Sequence, residues 1–162
     1  LGFARLSNMQ VYSFKYPKMR KHDVYEHLNS GLKKACKFAI KTVKKAKRKN
    51  LDYVYIHLKE PDTPGHDNKP LDKKKMIEYI DKTLMAYVVK FALANKVKVL
   101  VTADHSTPCK LKSHSADPVP VLLYSDKKTD EKTFDERSAA KGKLGSVFGK
   151  DLLESVGFVK KK

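Results

Sequence analysis

Residues 51–58 read LDYVYIHL and residues 96–103 read KVKVLVTA. Both are short runs of β-branched, aromatic and aliphatic residues, the composition of strands covered on both faces. Each empties into a segment of opposite character, KEPDTPGHDNKP over 59–70 and DHSTPCKLKSHSADP over 104–118. Prolines, a glycine and turn formers make these loops. Between the two runs, Met76, Ile77, Ile80, Leu84, Val88, Phe91 and Ala92 recur at helical spacing, with Pro70 suited to the first turn and an end near Asn95. Strand, helix and strand of these lengths describe a crossover, so the expected class is α/β with a mostly parallel sheet flanked by helices. VPVLLY, 119–124, supplies a third expected strand. Ligands in such folds bind outside the carboxyl ends of the strands, where both polar loops lie.

Outward from this core, the apolar residues Leu28, Leu32, Ala35, Cys36, Ala39, Ile40, Val43 and Ala46 mark an amphipathic helix over 23–49, with lysines on the rest of its surface and Asn50 as its stop. Met9, Val11, Ser13 and Phe14 give the best strand reading near the start, closed by Pro17. A last helix is expected over 150–156, followed by a frayed tail at Lys160–Lys162.

A chain of 162 residues supports one domain, 1–162, with a real core. There is no apolar run long enough to span a membrane and no leader pattern at the start. Cys36 and Cys109 do not form a disulfide framework, and a reduced, cytoplasmic setting is expected. The net charge of +17 first suggests nucleic acid. Against that, Arg5, Arg20, Arg48 and Arg137 are the only arginines, the lysines are spread along helices, and no nucleic-acid-binding signature is present. The expectation is a solvated lysine face with no nucleic-acid partner and no membrane.

Asp62 and His66 stand four residues apart after the first strand, a spacing that brings both to one side of a helical turn. Asp104 and His105 are adjacent at the end of the second strand and should face different sides; His114 follows nine residues later. Singly, each is an ordinary turn former or solvated side chain. Together, at the mouths of successive strands, they form the carboxylate and imidazole mixture that Mn²⁺, Zn²⁺ or Fe²⁺ accept. Asp62, His66 and His114 could hold one ion, with Asp104 and His105 half-filling a second. A two-ion phosphoryl site needs about three or four protein ligands per ion. The shortfall, together with a start at Leu1, makes the chain read as a piece of something longer.

The strings HLKEPDTPGHDN, TADHSTPCKLKSHSADPVPVLLY and FDERSAAKGKLGSVFGKDLLE, with Glu78 and Asp81 on the intervening helix, resemble the archaeal-type 2,3-bisphosphoglycerate-independent phosphoglycerate mutases, of the alkaline phosphatase superfamily. The similarity spans most of 20–157 and corresponds to the C-terminal portion of the family. It implies an alkaline-phosphatase-like layered fold, incomplete at the N-terminal side, and interconversion of 2- and 3-phosphoglycerate through a phosphoserine. It also implies two divalent ions, usually Mn²⁺, with Zn²⁺, Co²⁺ or Mg²⁺ as alternatives. Asp62, His66 and His114 would serve one ion, Asp104 and His105 the other, and Lys59 would meet the substrate. The catalytic serine matches nothing in this chain; Ser106, although beside the ligands, occupies no nucleophile position of the family. The N-terminal portion of the enzyme would be the partner, and the isolated chain would be inactive. Another phosphatase or phosphomutase of the superfamily, or a lysine-rich binding module, are the alternatives. His57 shares a strand face with Tyr53 and Tyr55 and suits either support of the site or the core.

Overall fold

The structure, a computed structural model, describes residue 4 and residues 7–18, 23–125 and 133–159. The expected tail at 160–162 lies outside the described residues. The chain divides into two compact units, one of residues 1–89 with 108–113, the other of 90–107 with 114–162.

The first unit is organised by helix α1, Val24–Arg48. Asp23 caps it, its side chain accepting from the Tyr25 N–H at 2.7 Å. It ends in Lys49 and Asn50, the latter at φ 49°, a left-handed position that asparagine tolerates. Its buried residues, Gly31, Leu32, Ala35, Cys36, Ala39, Val43 and Ala46, follow the predicted stripe. Leu32, Cys36 and Ala39 join Met76 and Leu84 in the core, with Ile56, Leu58, Tyr79, Ile80 and Val88 packed around them. Burying Leu32 to 1% exposure alone stabilises by about 1.5–3 kcal/mol.

A single turn, α2, Thr63–His66, is followed by α3, Pro70–Ile80, with Pro70 in the first turn as expected. α3 runs into a π-helical segment, Asp81–Met85, and then α4, Ala86–Asn95. The predicted helix is therefore continuous but carries an inserted residue's worth of slack. That widened turn seats Leu84 in the core while Thr83 back-bonds to the Tyr79 carbonyl.

Two expected strands of this unit differ from the prediction. LDYVYIHL alternates as a strand should, with Val54, Ile56 and Leu58 turned inward. Tyr53, Tyr55 and His57 are exposed, Tyr55 at 63%, so one face is covered rather than two, and the segment joins no ladder among the described residues. The early segment is likewise no strand. Its Phe14 ring packs on Phe38 of α1 at 5.2 Å and Tyr12 lies under Lys45 at 4.4 Å, so aromatic contacts with a helix replace ladder bonds.

In the second unit β1, Val99–Val101, pairs with β2, Leu122–Tyr124, in register Val99↔Tyr124, Leu100↔Leu123 and Val101↔Leu122. The pairing is antiparallel, which corrects the parallel expectation for these strands. The reason lies in the connection: residues 102–121 contain no helix, and a parallel return requires a crossover. The last helix forms over Leu152–Ser155 behind a 3₁₀ turn at Gly149–Asp151, in the place expected. The helices and the two-stranded sheet keep the chain in the α/β class.

Candidate metal centre

In the first unit the chain leaves the extended segment through a turn in which the Asp62 N–H bonds the Lys59 carbonyl at 3.1 Å. Asp62 then opens α2, its carbonyl accepting from the Gly65 and His66 N–H groups at 2.9 and 3.2 Å. Pro64 and Gly65 are buried, which pins the turn from beneath. The single helical turn does what the four-residue spacing predicts: His66 Nε2 lies 3.4 Å from Asp62 Oδ2, both side chains being part-exposed.

The other nitrogen of His66 fixes the ring. Nδ1 is 3.1 Å from the Lys112 carbonyl oxygen, which can only accept, so Nδ1 carries the proton. Nε2 of a neutral ring then presents a lone pair to a carboxylate oxygen. Two acceptors facing one another at that distance need a proton or a cation between them. Ligands each about 2.0–2.2 Å from one ion are separated by about 3–4 Å, which is the separation found. Hydrogen bonding of the distal imidazole nitrogen to a carbonyl is the usual support of a metal-bound histidine. Segment 108–113 holds its place in this unit partly through the Cys109 thiol, 3.8 Å from the Pro64 carbonyl.

The second unit repeats the arrangement. His105 Nδ1 meets the hydroxyl of Thr107, a residue only 4% exposed, at 3.1 Å, and Nε2 lies 3.7 Å from Asp104 Oδ2. Alternation across a strand predicted opposite directions for Asp104 and His105. The strand ends at Val101, however, and a bend at 104–105 lets the two side chains approach. His114 is brought back to His105 by an isolated antiparallel bridge between Ser106 and Ser115, with the Ser115 N–H on the Ser106 carbonyl at 3.1 Å. The two imidazoles lie face to face, ring centroids 3.7 Å apart, with ligand nitrogens within 4.8 Å of each other. The sequence reading assigned these histidines to different ions; within this unit they are immediate neighbours.

Lys59 is exposed beside the first turn. Ser106 is engaged in the bridge, and His57 is exposed with its ring against Tyr55 at 6.2 Å, so it is no core histidine. Glu78 pairs with Lys74 on the surface at 3.7 Å. Two residues escaped the sequence reading. Thr107 gives no signal of its own, because a threonine before proline reads as a turn former. Glu60, buried to 6% exposure, sits in a segment whose composition signals only loop.

Residues 5–157 match the family described as Metalloenzyme superfamily. Over 107 residues the chain is 41% identical to a 2,3-bisphosphoglycerate-independent phosphoglycerate mutase of Pyrococcus horikoshii, a match covering 65% of this chain and 26% of that protein. It is 44% identical over 104 residues to the protein of the same description from Methanoculleus marisnigri, covering 63% and 24%. A solved structure, that of PH0037 protein from Pyrococcus horikoshii, superposes with a TM-score of 0.69 at 34% identity, over 83% of this chain and 41% of that one. The chain thus spans about a quarter of the length of these curated relatives. All five sequence-predicted ligands fall within the matched residues, and the donor chemistry of both units is that of divalent-metal binding. The chain belongs to the Metalloenzyme superfamily.

Proposed function

We propose that this chain is the C-terminal, metal-binding part of a cofactor-independent phosphoglycerate mutase, with the rest of the enzyme as its partner and phosphoglycerate as its substrate. The reading takes Asp62, His66 and His114 as ligands of one divalent ion, Asp104 and His105 as ligands of a second, and Lys59 as a group for substrate phosphate or carboxylate. Mn²⁺ is the proposed ion, the nucleophilic serine lies in the remainder of the enzyme, and the fold completed by that remainder is alkaline-phosphatase-like. Two free thiols, Cys36 and Cys109, suit a cytoplasmic enzyme. Among the described residues no helix is long and apolar enough to cross a membrane.

The observation that carries the reading is the repeated pair: an imidazole anchored through Nδ1 with Nε2 turned to an aspartate oxygen, at 3.4 Å for His66 and Asp62 and at 3.7 Å for His105 and Asp104. Bound divalent ions would lower the pKa of a serine hydroxyl and neutralise charge on a transferring phosphoryl group. The chain's own share is to hold donors rigid: the Lys112 carbonyl sets one ring, Thr107 sets another, and the 106–115 bridge keeps His114 against His105. The test is Mn²⁺-dependent interconversion of 2- and 3-phosphoglycerate by the complete enzyme containing this chain. Asp62→Asn and His66→Ala should each weaken Mn²⁺ binding at least about tenfold and abolish turnover. Hydrolysis of other phosphoesters without mutase activity would move the assignment to another metal-dependent phosphatase or phosphomutase. Retention of a salt-sensitive nucleic-acid affinity after chelation, with no turnover, would defeat the enzyme reading altogether.

A further inference from the structure

The turn that delivers Asp62 has a buried carboxylate at its centre. Its own hydrogen bond, Asp62 N–H to the Lys59 carbonyl, does not need one. Yet Glu60 is 6% exposed, and burying an ionised carboxylate costs several kcal/mol or more unless it is paired or hydrogen-bonded. Its partner is Tyr16, whose hydroxyl donates to Oε1 at 3.2 Å from 44 residues away in sequence. Tyr16 reaches that position across α1 at the point where the helix has no side chain, since a Cβ on Gly31 would stand 1.9 Å from the Tyr16 hydroxyl oxygen. The His27 ring stands roughly edge-to-face with the Tyr16 ring, centroids 5.3 Å apart. Burial, and then Glu60, push the Tyr16 phenol up to about 12. Burial raises the thiol of Cys36, also on α1, and the Glu60 charge adds to that rise.

We propose that Tyr16, Glu60 and the notch at Gly31 form a positioning anchor that fixes the Lys59–Asp62 turn, and with it the two residues flanking Glu60 that are assigned to substrate and metal. The value of the anchor to the site rests on the reading of Asp62 as a ligand. The ordering of the turn does not, and the two are separable by experiment. Neither Tyr16 nor Glu60 is assigned as a catalytic residue: both are positioning residues that act through the backbone of the turn.

Tyr16→Phe and Glu60→Gln are compared with wild type in the full chain by two readouts. Without metal, amide hydrogen exchange is followed at Asp62, Gly65 and His66, whose N–H groups make the turn and open α2, against the core amides of α1 as reference. With metal, Mn²⁺ affinity is titrated by EPR. Tyr16→Phe should speed exchange at the three turn amides about tenfold relative to the α1 reference and weaken Mn²⁺ about tenfold, the size of effect seen for outer support of metal ligands. Glu60→Gln keeps an acceptor for the Tyr16 hydroxyl and should stay close to wild type in both readouts. Unchanged turn exchange in Tyr16→Phe, or acceleration shared equally by α1 amides, would overturn the anchor. Turn exchange that speeds up in Tyr16→Phe as expected, while the wild-type chain binds no Mn²⁺, would support the anchor and sink the metal assignment of Asp62.

Discussion

Replacing Gly31 by Ala sets two effects of similar size against each other. In a helix interior alanine is favoured over glycine by about 1 kcal/mol. At this site the new Cβ would lie 1.9, 2.1 and 2.8 Å from Oη, Cζ and Cε1 of Tyr16, so the ring must leave. Its departure removes a hydrogen bond to a buried charged group, worth about 1.5–3 kcal/mol. It also removes the edge contact with His27, worth about 0.5 kcal/mol or more by analogy with aromatic pairs. The loss exceeds the gain, and Gly31→Ala should destabilise the chain by roughly 1–2.5 kcal/mol. Urea unfolding followed by circular dichroism measures this directly. The decisive control is the same substitution in a Tyr16→Ala background, where the clash is gone and helix propensity acts alone. There Gly31→Ala should stabilise by about 1 kcal/mol, a reversal of sign. The reasoning is wrong if Gly31→Ala stabilises the wild-type chain by that amount, or if the coupling with Tyr16→Ala is below about 0.5 kcal/mol.

Because the Tyr16 phenol is raised from 10.0 to about 12 in the folded chain, the unfolded chain binds fewer protons in that interval. The stability Tyr16 contributes should be complete below pH 10 and lost as pH rises towards 12, a slope seen in the difference between wild type and Tyr16→Phe. Cys36 is buried, and burial raises its thiol, so iodoacetamide at pH 8 should modify it only on unfolding, as read by mass spectrometry of the intact chain. Asp23→Ala removes the cap of α1 and should cost about 1 kcal/mol in urea unfolding. Leu32→Ala, at a position 1% exposed, should cost about 2–5 kcal/mol in the same assay.

The helices were legible because burial repeats with their period. The stripe from Leu32 to Ala46 names the buried face of α1 almost residue for residue, and Asp23 and Pro70 mark the starts. The strands were less so. Hydrophobic runs report what a segment can bury, whereas a ladder also needs a neighbouring backbone, and direction depends on the connection. LDYVYIHL has the side chains of a strand without a ladder among the described residues, and residues 102–121 reverse the chain without a crossover. The π segment at Asp81–Met85 leaves no trace in a stripe that reads as continuous helix. At the site, Asp62 with His66 followed from four-residue spacing alone. The buried Glu60 did not, because its partner, Tyr16, comes from a segment with no regular structure.

The loop over 104–118 explains why two histidines nine positions apart, His105 and His114, can meet. His105 and Ser106 leave the first arm, Ser115 returns opposite Ser106, and the bridge between them brings His114 back onto His105. Six of the residues between them, Pro108–Ser113, belong with the first unit, where Lys112 turns its carbonyl to His66. Lys112 does so at φ 54°, a left-handed conformation that costs a non-glycine residue about 1–2 kcal/mol. The N–H of Lys112 returns to the Pro108 and Cys109 carbonyls, closing the turn that holds this angle. One polar loop thus supplies a pair of imidazoles in one unit and the group that selects the tautomer of a third in the other. Its composition, which in isolation signals only turns, is the composition such a task requires.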